Sequence, residues 1–252
     1  MKVSKESVRL LVSAPAQYAA RLARSPEEIQ SAQALRFQVF NLELNEGLAQ
    51  SYATGLDTDP YDAVCDHLIV EHVASRQIVG TYRLQTGMSA AKNLGYYCEQ
   101  EFAFGVFEPI RHQIVELGRA CVHRQHRNLF VLGLLWKGIA GYARERGGRY
   151  LVGCSSLTSQ EPAAGASAYT ELCRNHLADL AWRTTPLPSH ECPLHAVTEE
   201  PFSIPKLLRA YLTVGAKICG PPALDRQFKT IDFLTLVDLE ALTPAARARF
   251  LG

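Results

Sequence analysis

Apolar residues change their spacing several times along this chain, and each change marks an element. From Ser25 the spacing is helical, with Ile29, Ala32, Leu35 and Val39 recurring every three or four positions. Ser25 as N-cap, Pro26 behind it and Glu27 and Glu28 in the first turn predict where that helix starts, and Arg36 interrupts its apolar face. Two β-type runs follow, His67 to Val73 and Gln77 to Leu84, joined by Ala74-Ser75-Arg76 as a hairpin. The stretch Ile114 to Leu132, IVELGRACVHRQHRNLFVL, predicts a strand, a sharp break and the start of a helix. That helix, Phe130 to Arg146, stops at Gly147-Gly148, and a short buried strand, Tyr150 to Cys154, comes next. A helix from Ala166 to Leu180, another from Ile204 to Val214 and a strand from Thr230 to Leu239 complete the series.

Between these lie three irregular regions. Asn45 to Asp62 carries glycines, a proline and clustered acids, and predicts a long ordered loop. Residues 85–108 are dense in aromatics, which form either core or the wall of an apolar ligand site. Residues 183–205 are rich in proline and predict a loop. The order of elements predicts an α+β, three-layer domain with a mixed central sheet and flanking helices over 26–240. A lead segment, 1–25, includes Val8, Leu10, Leu11 and Val12 as a short strand, and the tail 241–252 predicts a terminal helix.

Composition changes this picture mainly by exclusion. A chain of 252 residues with a formal charge of +1 buries a substantial core and offers no bulk attraction for nucleic acid. Seven cysteines, an odd number without a C-x-x-C pair, predict reduced thiols in a cytoplasmic protein rather than a disulfide framework. Neither a secretory leader nor a membrane-spanning run is visible. The segment Ile204 to Val214 sets Leu207, Leu208, Tyr211 and Leu212 beside Lys206 and Arg209, a pattern that allows peripheral contact with the inner membrane surface.

The chemistry concentrates in Ile114 to Leu132. Glu116 and Arg119 are placed where a sheet is buried, and buried charges are costly unless paired or used. Three positions apart, they face opposite sides of a regular strand, and a bulge would bring them together. Arg124, His126, Arg127 and Asn128 precede a helix N-terminus, where free N–H groups and the helix dipole attract phosphate, so a phosphate-bearing acyl donor is expected. Ser155 and Ser156 follow the next strand. Cys121-x-His123-x-x-His126 and His190-Glu-Cys192-x-x-His195 lack the paired spacing of zinc sites, so no metal is expected.

Motifs spread over residues 28–240 carry a resemblance. Leu35-Arg36-x-x-Val39-Phe40, Gly55-x-Asp57-x-Asp59-x-x-Asp62, Ile78-Val79-Gly80-x-x-Arg83-Leu84 and Glu116-x-x-Arg119 resemble, in order and spacing, the signature of acyl-homoserine lactone synthases. Gly153-Cys154-x-Ser156-Leu157 and the ending from Tyr211 through Asp225, Phe228, Thr230 and Asp232 are similar to the ornithine-lipid-forming acyltransferases. Both are branches of the Gcn5-related N-acyltransferase (GNAT) superfamily. The resemblance implies that fold, with a splayed strand pair at its centre, and an N-acyltransferase that moves a long acyl chain, 3-hydroxylated in some members, to the α-amine of an amino acid such as ornithine.

It also implies roles. Glu116, with Arg119 beside it, would take the proton of the acceptor ammonium, directly or through water. Arg36, Asp57, Asp59, Asp62 and Arg83 would form a charged network ordering the loop over the acceptor. Backbone N–H groups of Cys121, Val122 and His123 would stabilise the oxyanion, and Ser155, Ser156 or Tyr169 would protonate the leaving thiolate. The turn 124–129 has no glycine to cradle a diphosphate, so acyl carrier protein is the expected donor, with Arg124, Arg127 and Lys137 meeting its acidic surface, and no separate cofactor is expected. Two alternatives stay open at this level. One is an autoinducer synthase using S-adenosylmethionine, although Leu44 to Leu48 lacks the tryptophan usual in those synthases; the other is a non-catalytic acyl-carrier or lipid binding protein.

Overall fold

The computed structural model describes residues 17–195 and 204–250. The expected lead strand at Val8 to Val12 lies outside the described residues. In order the elements are β1 (Tyr18–Leu22), α1 (Pro26–Phe37), α2 (Ser51–Thr54), β2 (Asp66–His72), β3 (Gln77–Thr86), α3 (Gly87–Lys92), β4 (Ile114–Val122), α4 (Leu129–Glu145), β5 (Tyr150–Leu157), α5 (Pro162–Cys173), α6 (Lys206–Val214), β6 (Lys217–Ile218), β7 (Ala223–Asp225), β8 (Thr230–Asp238) and α7 (Pro244–Phe250). They build one mixed sheet in the order β1-β2-β3-β4-β5-β8-β6, with β7 also paired to β8.

The helices start where their caps place them. Ser25 Oγ accepts from Glu28 N at the head of α1, and Asn128 Oδ1 accepts from Phe130 N and Val131 N at the head of α4. One face of the sheet is covered by α4, whose Val131, Leu135 and Ile139 pack on Leu68, Val79, Leu84 and Val115. The other face is covered by α1 through Ala32, Leu35 and Val39 against Ile69 and Ile78, and by the aromatic segment through Tyr96, Phe102, Phe104 and Phe107, which are core.

Several expectations change in detail. α1 runs on into a π-helical turn, Gln38–Glu43, and the loop Asn45 to Asp62 contains α2 and leads into a 3-10 turn, Pro60–Ala63. β5 continues to Leu157, which puts Ser155 and Ser156 on the strand rather than after it. α5 ends at Cys173, not Leu180. The short β6 and β7 carried too few residues for a periodic signal. On α6, Leu208, Tyr211 and Leu212 are buried in the core, while Leu207 stays exposed.

β4 and β5 position the site. They run parallel and pair at Ile114–Glu116 with Tyr150–Val152. Beyond that, β4 keeps pairing with β3 as far as Val122, and β5 keeps pairing with β8 as far as Leu157. Each strand is therefore held by its outer neighbour while the two part from each other, which is the expected splayed pair. Gly153 sits at the fork, and a Cβ there would lie 2.3 Å from the Leu117 carbonyl oxygen. Gly153→Ala is expected to destabilise the fold by about 1–3 kcal/mol, measured by urea unfolding, because the opposing atom is backbone and has nowhere to move.

Candidate active site

A bulge on β4 brings the charged residues together. Thr81 pairs with Cys121 and Arg83 with Gly118, so Arg119 and Ala120 both stand opposite Tyr82. Arg119 accommodates the extra residue with φ +49°. Its guanidinium is thereby turned beneath the loop, where Nη2 donates to Asp59 Oδ2 at 3.0 Å and Nε lies 3.3 Å from Asp57 Oδ2. Arg36 from α1 meets the same acids, donating to Asp62 at 2.9 and 2.6 Å, with Nε 2.7 Å from Asp57 Oδ2. Arg83 from β3 donates to Asp59 at 2.5 Å and to Asp62 at 3.1 Å.

Three arginines and three aspartates thus form a closed, neutral and buried ring. Burial alone would raise the Asp62 carboxyl, but the Arg36 hydrogen bonds and the charges of Arg36 and Arg83 hold it well below the usual carboxylate range. Each aspartate is engaged by arginine, although Asp57 Oδ1 has no hydrogen-bond partner. The ring clamps the loop 55–62 onto the sheet, while Arg83 and Arg119 also present themselves to a cleft. Arg36→Met removes two acids' partner and is expected to cost about 3–5 kcal/mol in chemical unfolding.

That cleft, about 390 Å³ including the space open to solvent, lies on the loop side of the fork and is lined by Arg83, Tyr97, Glu116, Arg119 and Cys154 among others. Glu116 is held there by three donors: Gln85 Nε2 at 2.6 Å, Tyr97 N at 3.0 Å and Cys98 N at 2.8 Å. A carboxylate has about four lone-pair sites, so one remains for the cleft. The Arg119 guanidinium lies 4.7 Å from the Tyr97 ring centre and 4.5 Å from that of Phe228. A second cleft, about 290 Å³, opens on the α4 side and is lined by Trp136, Ser155, Tyr211 and Thr235. Leu117 and Cys154 line both clefts, so the two meet at the fork.

The other expected residues are distributed unevenly. His123 N donates to Val79 O at 2.8 Å, which commits it to the sheet. Since successive residues of a strand point their N–H groups to opposite edges, the Val122 N–H faces the β5 side and the fork. Cys121 is buried against α1, and burial pushes its thiol up to about 12, so it is a packing residue. Ser155 Oγ lies 3.2 Å from Thr235 Oγ1. Tyr169 packs with Leu157 and Leu172 and lines neither cleft. Arg127 is tied back, pairing with Glu43 and donating to Val122 O at 3.0 Å. Arg124 is exposed with no ion-pair partner among the described residues, and Lys137 is exposed more than two turns along α4.

Sequence reasoning gave no role to a group of acids on the same side of the fork. Glu101 and Asp232 are buried, at 2% and 4% exposure, and their carboxyl oxygens lie within 4.8 Å of one another and of Cys154 Sγ. Burial raises both, Glu101 well above the usual range and Asp232 to about 6; the charges of Asp232 and Asp225 push Glu101 further up, and that of Asp225 adds to Asp232. Glu46, also buried, is pushed up to about 7 by burial and by the charge of Asp232. The available signal was a lone acid inside the apolar run TIDFLTLVD.

A splayed parallel pair in a mixed sheet, with a cleft on either side of the fork, defines a GNAT-type acyltransferase. Residues 35–137 match the family described as Acetyltransferase (GNAT) domain. The "L-ornithine N(alpha)-acyltransferase" of Brucella abortus is 34% identical over 88% of this chain and 85% of its own, and that of Agrobacterium fabrum is 34% identical over 88% and 81%. The chain belongs to this family. Among solved structures, the AHL synthase LasI superposes with a TM-score of 0.53 at 12% identity, covering 92% of this chain and 94% of its own. FeeM, an N-acyl amino acid synthase from uncultured soil microbes, does so with 0.53 at 13%, covering 93% and 94%. At such identities the likeness is one of fold.

The acids give the apo protein an unusual pH response. A carboxyl raised in the folded state binds its proton more tightly there than when unfolded, so its favourable contribution is present at low pH and is lost as pH rises from about 4 through the folded values. For Asp232, facing Glu101, Asp225 and Glu46, that window runs to about 6, and for Glu46 to about 7. The melting temperature is expected to fall between pH 5 and 8, and Asp232→Asn to flatten that fall. Asp62, with a lowered value, acts in a separate window below about 4.

Proposed function

We propose that this protein transfers a long fatty acyl chain from acyl carrier protein to the α-amine of L-ornithine, giving an N-acyl amino acid that a second acylation would turn into a membrane lipid. The observation that supports it most is the junction of two clefts at the β4/β5 fork, with a buried carboxylate on one side and a mostly apolar wall on the other. In this reading the acyl-pantetheine arm lies on the α4 side, its thioester reaching the fork between the strands. The acceptor fits the loop side, its carboxylate toward Arg83 and Arg119.

Glu116 then receives the ammonium proton at its remaining lone pair, directly or through water, and the freed amine attacks the thioester carbon. The carbonyl oxygen becomes an oxyanion, which the Val122 N–H is placed to stabilise. The attack forms the C–N bond; collapse re-forms the carbonyl and breaks C–S, and the nitrogen gives up its second proton to become the amide N–H. Ser155, whose hydroxyl lies beside that of Thr235, relays that proton to the departing thiolate, giving up its own proton as it receives the one from nitrogen, so the hydroxyl is restored. The order needs no covalent enzyme intermediate and no cofactor beyond the donor's own phosphopantetheine.

Acyl carrier protein is favoured as donor by the exposed Arg124 in the turn that follows β4 and by the absence of glycine from that turn, suited to a single phosphate. A cytoplasmic site of action fits such a donor. Among the described residues no helix is long and apolar enough to cross a membrane.

Purified protein incubated with acyl-acyl carrier protein and ornithine is expected to yield a product of the mass of N-acyl ornithine. Acyl-homoserine lactone from S-adenosylmethionine instead would reverse the assignment. Glu116→Gln is expected to lower kcat by roughly 10²–10⁴-fold, the range for a lost general base, with a circular dichroism spectrum unchanged; wild-type kcat in this variant removes Glu116 from the chemistry.

A further inference from the structure

The ring of arginines and aspartates balances its own charge, but the acids across the cleft do not. Glu101 and Asp232 are buried side by side, and Asp232 Oδ1 has no hydrogen-bond partner. Asp225 and Glu46 add further negative potential, although Asp225 spends Oδ1 on Gln227 N and Phe228 N. The nearest opposing charge is Arg119, already committed to Asp57 and Asp59. An uncompensated buried acid pair is strongly unfavourable unless a proton or a cation is shared between its members. In the folded apo state a proton does this: burial raises both groups, the charge of Asp232 raises Glu101 further, and a hydrogen bond from Glu101 steadies the Asp232 carboxylate.

The pair is also adjacent to the site. Glu101 Oε2 lies 4.0 Å from Cys154 Sγ, and Cys154 lines the loop-side cleft together with Glu116. Cys98, whose N–H holds Glu116, has its sulfur 3.5 Å from the same Cys154 sulfur. From the opposite direction, Ser156 pairs across the ladder with Asp232 and is solvent-exposed, so the acids stand one residue from open space. We propose that Glu101 and Asp232 form the subsite for a cationic side chain of the acceptor, accepting hydrogen bonds from its terminal ammonium while Glu116 faces the α-amine. This assignment rests on the reading that the acceptor is an amino acid such as ornithine, and it names the residues that make the enzyme prefer a diamino acid over a neutral one.

A primary ammonium has three donors and no acceptor, which suits a pair of acceptor-only carboxylates. A divalent cation is the competing occupant, since Cys154 completes a three-ligand set with the pair. Burial and the Cys98 contact keep the Cys154 thiol protonated far above the usual range, and a thiol is a poor ligand until it loses that proton. The observations therefore favour the ammonium.

The test compares two acceptors of equal length, ornithine and norvaline, which lacks the terminal amine. With acyl-acyl carrier protein as donor, kcat/KM is measured for wild type, Glu101→Gln and Asp232→Asn, with and without a chelator. The ratio of ornithine to norvaline is expected to drop by roughly thirtyfold or more in each variant, the low end of the effect of losing one partner of a buried charge pair. Melting curves at pH 5, where the acids hold protons, identify a variant that fails to fold, and the second isosteric variant then carries the comparison. An unchanged ratio, or an equal loss with both acceptors, overturns the subsite. A wild-type preference abolished by chelator and restored by a divalent cation also overturns it, in favour of a metal. If wild type transfers acyl chains to ornithine but the ratio does not respond, the subsite alone fails; if wild type transfers to neither acceptor, the proposed function fails and the subsite with it.

Discussion

The rest of the site depends on the buried ring in which Arg36, Arg83 and Arg119 meet Asp57, Asp59 and Asp62. Its members come from a helix, two strands and a loop, so it forms only when all four are in place. Burying so many charges is costly, and the cost is offset only if each is paired with good geometry. That condition fixes the loop against the sheet, and it requires the bulge that turns Arg119 inward. The bulge also leaves Glu116 on regular strand geometry, facing the donors from Gln85, Tyr97 and Cys98. Loop closure and placement of the carboxylate are thus consequences of one electrostatic constraint.

The fork is the second constraint, and it is one of hydrogen bonding. β4 and β5 part because each has a longer ladder with its outer neighbour than with the other. A parallel pair that opens in mid-sheet leaves backbone groups turned toward a gap, and unsatisfied backbone groups are ready to meet a ligand. In this fold the gap lies between the apolar wall under α4 and the charged floor under the loop. In the proposed reaction, acyl chain and amino acid approach one point from opposite faces of the sheet.

How much of this was legible in the sequence follows from the physics of each signal. The cap at Ser25, the period of α4 and the alternation of β2 and β3 are local, and they appear where expected. Arg36, Asp57, Asp59, Asp62, Arg83 and Arg119 were legible as a network through the resemblance, because charges at apolar positions need partners. Its closure was not, since pairing geometry depends on a bulge that no spacing reveals. The surroundings of Arg127 and Tyr169 were not legible for a related reason: a side chain's partner, Glu43 for Arg127, is a matter of tertiary contact. Ser155 and Ser156 were set past a strand that in fact continues under them, because β-propensity is a weak guide to where a strand ends. The acid pair Glu101 and Asp232 joins positions far apart in the chain, and only the fold puts them side by side.

Charge balance therefore divides the site in two. On one side six charges cancel and hold the architecture. On the other, acids stand without a cation of the protein's own. The claim on which the whole account turns is that the thioester sits in the fork between β4 and β5. A crystal structure with a non-hydrolysable thioether analogue of acyl-pantetheine tests it most directly. The acyl chain is expected along Trp136 and Tyr211, with the carbonyl oxygen within hydrogen-bonding distance of the Val122 N–H. An arm bound elsewhere, or a carbonyl directed away from β4, would contradict it.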